Sequence, residues 1–315
     1  MGKKIPKRTK LLISTLLSIV ILVFIYRNID IPVMTKTIRT VDSYWFILFL
    51  ALFIPQLLVA TLRWNWMSAI IGKIKFPFYS SWQQVVGSYS ANLIIPGKMG
   101  EVVRVPWMKK FNMQCPVLLL VFIEKLLDIF SIVIIMTASL IWIGATVGLN
   151  VAAHRVGVIL GLTIIVGFIV LFLFRKGVFQ LFERCCPNWV VKQPETGIYF
   201  RIRNSLEYLA GRLPLFLLIS LALWAIQILE FYVIFRMFSV DPGIFEVGFG
   251  CSLALLAGAL PLSIAGIGPR DAVIVSYFTL VAPAETLVAI SLITILRIII
   301  PALAGLPFFF MQSKK

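Results

Sequence analysis

The sequence predicts an all-α polytopic membrane protein, on three observations. Hydrophobic residues make up 60% of the chain and the mean hydropathy is +1.00, far above a soluble domain. Apolar runs long enough to span a bilayer recur throughout. Two stretches then interrupt apolar sequence with proline, glycine and charge in a similar way. Together these predict a helix bundle with two inverted-topology halves, each containing a re-entrant or broken helical hairpin.

The elements follow in order. Residues 1–27 read as an uncleaved first helix, because the apolar stretch 11–26 ends in Tyr26-Arg27-Asn28 without a small-residue cleavage site. The segment 28–43 is short, mixed in charge and external. A first half covers 44–143. Its opening span, 44–62, ends at Arg63-Trp64-Asn65-Trp66, read as a basic and aromatic interface anchor. An interrupted hairpin occupies 82–108, and a long span runs over 117–143. A brief outer loop holds His154 and Arg155 before a linking helix at 156–174, where Gly157 and Gly161 permit close helix contact. A cytoplasmic loop, 175–213, precedes the second half at 214–311, which contains the second interrupted hairpin, 245–283.

The net charge of +16 does not imply nucleic acid. Its cations cluster between apolar spans, before residue 11 and within 175–213, which is the positive-inside pattern. That pattern places both termini in the cytoplasm of a multi-pass protein of the plasma membrane. Membrane spans leave no room for a soluble catalytic domain. Lone His154 and four cysteines without a CxxC pairing (Cys115, Cys185, Cys186, Cys251) indicate no metal centre or disulfide framework. No cofactor is expected.

The first interruption reads Asn92-Leu93-Ile94-Ile95-Pro96-Gly97-Lys98-Met99-Gly100-Glu101-Val102-Val103-Arg104. The second runs from Leu260-Pro261 through Gly266-Ile267-Gly268-Pro269 to Arg270-Asp271. Irregular backbone persists in a bilayer only inside protein or beside a water-filled cavity. Gly97, Gly100, Gly266 and Gly268 let backbone N–H groups approach a ligand, while Lys98, Arg104 and Arg270 supply charge beside them. That chemistry suits an anionic head group. The plainer reading is that Pro-Gly ends a helix, and two such breaks in opposed halves favour the binding reading over it.

Charges also lie within the spans. Glu124 and Asp128 share one helix face four residues apart, while Lys125 projects elsewhere. An unpartnered trio would be costly. An ion-pair network that locks helices and a set of counter-ions or proton carriers beside a head group both fit. Arg297, deep in the last span, has Glu230 or Asp271 as candidate partners, or a phosphate as ligand. Glu101, Glu124, Lys125, Asp128, Glu230 and Asp271 are thus candidates for charge balance or coupling, and no residue is assigned a catalytic role.

In order and spacing, these motifs resemble the lysylphosphatidylglycerol synthase transmembrane, or flippase-like, family over about residues 10–310. The resemblance implies a bundle with re-entrant hairpins. It also implies movement of aminoacylated phosphatidylglycerol between leaflets in lipid-modifying members, or a role beside polyprenyl-linked sugar assembly in others. This chain has Lys125 where the family usually has arginine, and Asp271 where glutamate is frequent. It carries no aminoacyl-transferase domain, so lysine transfer is not expected of it alone.

The function expected is transport of a phospholipid or polyprenyl-phosphate-linked amphiphile between leaflets by alternating access. The alternative is an enzyme or accessory subunit of glycosyltransfer or head-group modification. A membrane lipid is the expected partner. A separate glycosyltransferase or lipid-modifying enzyme, and a second copy of the chain, stay open.

Overall fold

The computed structural model describes residues 31–93, 95, 100–108, 117–147, 152–173, 197–259 and 266–313. The expected first helix, together with Gly97, Lys98 and most of the 175–213 segment, lies outside them. Every described element is helical, with no strand among the described residues. Among the described residues, three stretches are long and apolar enough to cross a membrane: Ser43–Ile70, Phe200–Met237 and Ala284–Met311. Polar residues such as Gln56, Thr61, Gln84 and Ser220 are buried, whereas Leu160, Ile164 and Leu218 are exposed. That inversion of a soluble surface is what hydrocarbon solvent selects.

Contacts divide the chain into two compact units. The first comprises Met1–Leu57, Gln83–Val103 and Ala225–Lys315, so both interrupted stretches contribute to it. The second comprises Leu58–Trp82 and Arg104–Trp224.

Within the first unit, helix α1 (Ile31–Arg39) packs Met34 against Val288 and Ala289. The segment expected as a short external connector is therefore partly helical and held down by an apolar contact. Helix α2 (Ser43–Ile70) begins at Asp42, whose carboxylate accepts the Tyr44 N–H at 2.8 Å, an N-cap for an otherwise orphan donor. The Asp42 N–H in turn donates to the Met237 carbonyl at 3.0 Å. Helix α3 (Phe78–Asn92) is polar and short. Its end is tied to the following chain, since the Gly100 N–H donates to Asn92 Oδ1 at 2.7 Å. A 3₁₀ turn, Gly100–Val103, leads into the short helix α4 (Arg104–Met108).

Helix α5 (Val117–Val147) and helix α6 (Ala152–Leu173) pair within the second unit. Gly161 lies against Thr137, Gly157 against Leu140, and Gly144 against the His154 ring. Gly157 and Gly161 do provide close contact. His154 belongs to helix α6, not to an outer loop, because the absence of a side chain at Gly144 leaves room for its ring. Phe130 stacks on Phe168 at 4.0 Å between centroids.

Helix α7 (Ile198–Met237) starts well before the expected 214. Its first turns look like loop because they are polar, yet they satisfy themselves: Arg203 and Glu207 pair one turn apart at 3.4 Å, and the Ser205 hydroxyl donates to the Arg201 carbonyl at 2.6 Å. Pro214 is carried inside the helix. At the far end, the Val240 N–H reaches the Phe235 carbonyl and the Ser239 N–H the Arg236 carbonyl. Ser239 itself has φ +57°. This is a Schellman stop with serine where glycine is usual.

Helix α8 (Ile244–Ala259) starts with Glu246 Oε2 accepting the Gly243 N–H at 3.2 Å. Helix α9 (Pro269–Tyr277) follows the second interruption and has proline at its start, where no N–H is needed. Helices α10 (Ala284–Ile293) and α11 (Leu296–Ser313) are joined at 294–295. There the bonds tighten, with Ile295 N–H to Leu292 and Arg297 N–H to Thr294. The last span is therefore bent just before Arg297, and Pro301 leaves the Arg297 carbonyl without its intrahelical donor.

Candidate functional site

The second unit holds a buried charge network built on helix α5. Glu124 and Asp128 share a face of that helix and are both buried. Arg63, from helix α2, donates through Nη2 to Glu124 Oε1 at 2.8 Å and through Nη1 to Asp128 Oδ1 at 2.5 Å. Nη1 also reaches the Ser220 hydroxyl at 2.9 Å. Arg104 Nη1 takes the second Glu124 oxygen at 2.8 Å, with its guanidinium 4.4 Å from the Trp64 ring centre. Trp224 Nε1 completes Asp128 at 3.0 Å.

Each carboxylate oxygen of Glu124 and Asp128 thus has a donor. Two guanidiniums meet the two acids, the charge of Lys125 also reaches Glu124, and Arg63 Nε is buried with no hydrogen-bond partner among the described residues. Lys125 is half-buried on a neighbouring face. The interface-anchor reading of Arg63 and Trp64 is corrected: Arg63 is 3% exposed and Trp64 fully buried. Helix α2 continues to Ile70, which carries both residues inward. The acids themselves signalled a second cation, though not which residue supplies it. Two anions on one face need two cations, Lys125 projects away, and Arg104 supplies only one.

The first unit holds the remaining charged candidates. Arg297 lies over the Phe231 ring at 4.0 Å. It donates through Nε to Glu230 Oε2 at 2.7 Å and through Nη2 to Gln227 Oε1 at 3.2 Å. Glu230 and Gln227 are three residues apart on helix α7, so one helical face presents both acceptors. Of the two partners open to Arg297, Glu230 is the one it takes.

Arg270, 2% exposed, donates through Nε and Nη2 to Asp271 Oδ1 at 2.9 and 2.7 Å. Asp271 uses its other oxygen to accept the Gly268 N–H at 3.0 Å, capping helix α9. The interruption needs its glycines: Gly266 and Gly268 have φ +79° and +103°. A Cβ on Gly266 would sit 2.7 Å from the Gly258 carbonyl oxygen. The backbone therefore closes on helix α8 and delivers Arg270 into the unit's interior.

Cys251, buried on helix α8, lies within electrostatic range of both Arg270 and Arg297. Each spends Nε and Nη2 on its acid or amide partner, and neither Nη1 donates to a described residue. Gly100 and the half-buried Glu101 belong to the same unit. Helix α3 also meets helix α11 there: the Ser90 hydroxyl donates to the Ala302 carbonyl at 2.6 Å. Gly305 faces the Val86 carbonyl so closely that a Cβ would overlap it.

A family model described as the lysylphosphatidylglycerol synthase TM region matches residues 11–305. The chain belongs to that family. No curated protein matches the chain. Family membership gives it a membrane, lipid-related role. The match includes both interruptions, the acids of helix α5 and Arg297.

Proposed function

We propose that the protein moves an anionic, phosphate-bearing lipid between leaflets, with the phosphate taken up by Arg270 and Arg297. The observation that carries this reading is the pair of Nη1 groups, on two buried arginines of one unit, that donate to no described residue. A guanidinium fork matches phosphate oxygens, and in a low-dielectric interior its charge is felt strongly. On this reading Gly266, Gly97 and Lys98 add backbone and side-chain donors, the Gly268 and Gly100 N–H groups being already given to Asp271 and Asn92.

Chain lengths support re-entrant hairpins in an inverted repeat. Helix α3 has 15 residues and helix α8 has 16, about 22 and 24 Å at 1.5 Å per residue. Both fall short of a hydrocarbon core of about 30 Å, and each is followed by a glycine-containing return. We assign these hairpins to opposite sides of the plasma membrane, with both termini cytoplasmic, and access alternating between the sides.

The Glu124–Asp128 network locks helices on this reading, because a substrate would have to displace Arg63 and Arg104 to reach it. The same saturation weighs against the alternative in which these acids perform acid–base chemistry on a lipid-linked sugar. Proteoliposomes carrying head-group-labelled phosphatidylglycerol, or a labelled polyprenyl phosphate, test the proposal. The unmodified chain accelerates exchange of at least one of them, and R270A and R297A abolish it. Unchanged leaflet distribution for both lipids would overturn the reading, as would conversion of either lipid by the purified chain alone.

A further inference from the structure

We infer that Glu230 binds one proton each time a phosphodiester lipid engages Arg297, so that lipid binding and proton uptake at this site are one event. The inference rests on the reading that Arg297 receives the phosphate.

The geometry of Glu230 is unlike that of the other buried acids. It is fully buried, and Oε2 accepts from Arg297 Nε at 2.7 Å. Its other oxygen, Oε1, is buried without a hydrogen-bond partner among the described residues. By contrast, both oxygens of Glu124, Asp128 and Asp271 have donors. A buried acceptor left open is costly unless something fills it. A proton on Oε1 fills it and removes the charge as well.

The charge balance gives the same answer. Arg297 comes from helix α11, Cys251 from helix α8, and Arg270 with Asp271 from helix α9. Tyr277 of helix α9 also lies within electrostatic range of Cys251, and Glu246 of helix α8 within range of Tyr277. Arg270, Asp271, Arg297 and ionised Glu230 sum to zero. A phosphodiester adds one negative charge. It also draws Arg297 away from Glu230, leaving a buried carboxylate without its cation. Such a group takes a proton in preference to carrying uncompensated charge.

In the step, the Nε–H to Oε2 hydrogen bond breaks, guanidinium N–H groups turn to the phosphate oxygens, and one proton from water binds Oε1. Release of the lipid reverses each change. Gln227 provides the fixed point, because its neutral Oε1 keeps its hydrogen bond from Arg297 Nη2 at 3.2 Å whatever the charge on Glu230. Phe231 meanwhile covers one face of the guanidinium and limits where it can swing.

The test uses the purified full chain in detergent and dihexanoyl phosphatidylglycerol as probe. Calorimetric titrations near neutral pH, in Tris and in PIPES, report the protons exchanged on binding. The unmodified chain takes up one proton per lipid, and its affinity falls about tenfold per pH unit as pH rises. E230Q still binds the lipid, exchanges no proton and shows no pH dependence. Should E230Q fail to fold, the proton count and pH slope of the unmodified chain decide the matter alone. Lipid binding without proton uptake overturns this inference and leaves the transport reading standing. Uptake unchanged in a folded E230Q overturns the assignment to Glu230. No binding of the probe overturns both the inference and the phosphate site on which it rests.

Discussion

Arg63 holds Glu124 and Asp128 at once, through separate Nη atoms at 2.8 and 2.5 Å, which makes one side chain of helix α2 the counter-ion for a whole face of helix α5. Removing it would strand two buried anions with only Arg104 and Trp224 beside them. R63A should lose about 3–5 kcal/mol of stability, the usual cost of breaking a buried pair from one side. R63K should fall between R63A and the unmodified chain, since an ammonium keeps charge but loses the fork. Thermal unfolding in detergent reads both, and an R63A midpoint equal to that of the unmodified chain would refute the network's locking role.

Gly305 and Gly211 predict opposite responses to the same substitution. A Cβ at 305 meets the Val86 carbonyl and the Ser90 hydroxyl, whereas one at 211 meets nothing within 4 Å. G305A should destabilise by about 1–3 kcal/mol through overpacking. G211A should be neutral or stabilise by up to about 1 kcal/mol through helix propensity. Comparing the two midpoints under one condition checks the helix α3–helix α11 contact without needing an absolute scale.

Ser239 occupies the left-handed position of the Schellman stop at φ +57°. A side chain there costs about 1–2 kcal/mol that glycine does not incur. S239G should therefore raise stability, by about 1 kcal/mol once glycine's extra chain entropy is subtracted. A lower unfolding midpoint in S239G would show that helix α7 ends differently.

Asp241 follows helix α7, outside the spanning segments. A hydrogen bond from Arg236, aided by the Tyr232 hydroxyl at 3.2 Å, holds its carboxyl below the ordinary value. A lowered folded-state value means its stabilisation is complete above the unfolded value of about 3.9. It is lost as pH falls through the folded one. D241N should therefore lower stability slightly in the neutral region, converge with the unmodified chain at acid pH, and so flatten the acid limb of the stability profile. Unfolding midpoints measured from neutral to acid pH test this, and an acid limb of undiminished slope in D241N would contradict it.

The membrane class, the helical breaks and Glu230 as one of two candidate partners of Arg297 were legible in the sequence, because hydropathy, glycine–proline spacing and buried charge each leave a local signature. Arg63 was not. Its neighbours Trp64, Asn65 and Trp66 imitate an interface anchor, and only the three-dimensional course of helix α2 brings it to Asp128, 65 positions away. The early start of helix α7 was hidden for a related reason. Polar residues around 201–212 resemble a loop until their i, i+4 pairing is seen, and Pro214 reads as a boundary although the helix passes through it. The open oxygen of Glu230 has no sequence signature, since it depends on what does not reach that atom.

Helices α5 and α6 touch at Thr137 on Gly161, Leu140 on Gly157, His154 on Gly144 and Phe130 on Phe168, and the first two do not fix how far one helix can slide along the other. Gly157 and Gly161 are a turn apart, so a slip of about 5.4 Å would seat Thr137 on Gly157 as comfortably as on Gly161. The same slip would drive the His154 ring into Leu140. The His154 imidazole and the Phe130–Phe168 stack therefore serve as the index pins of an otherwise repeating track, and shortening both would free the two helices to sample a second setting.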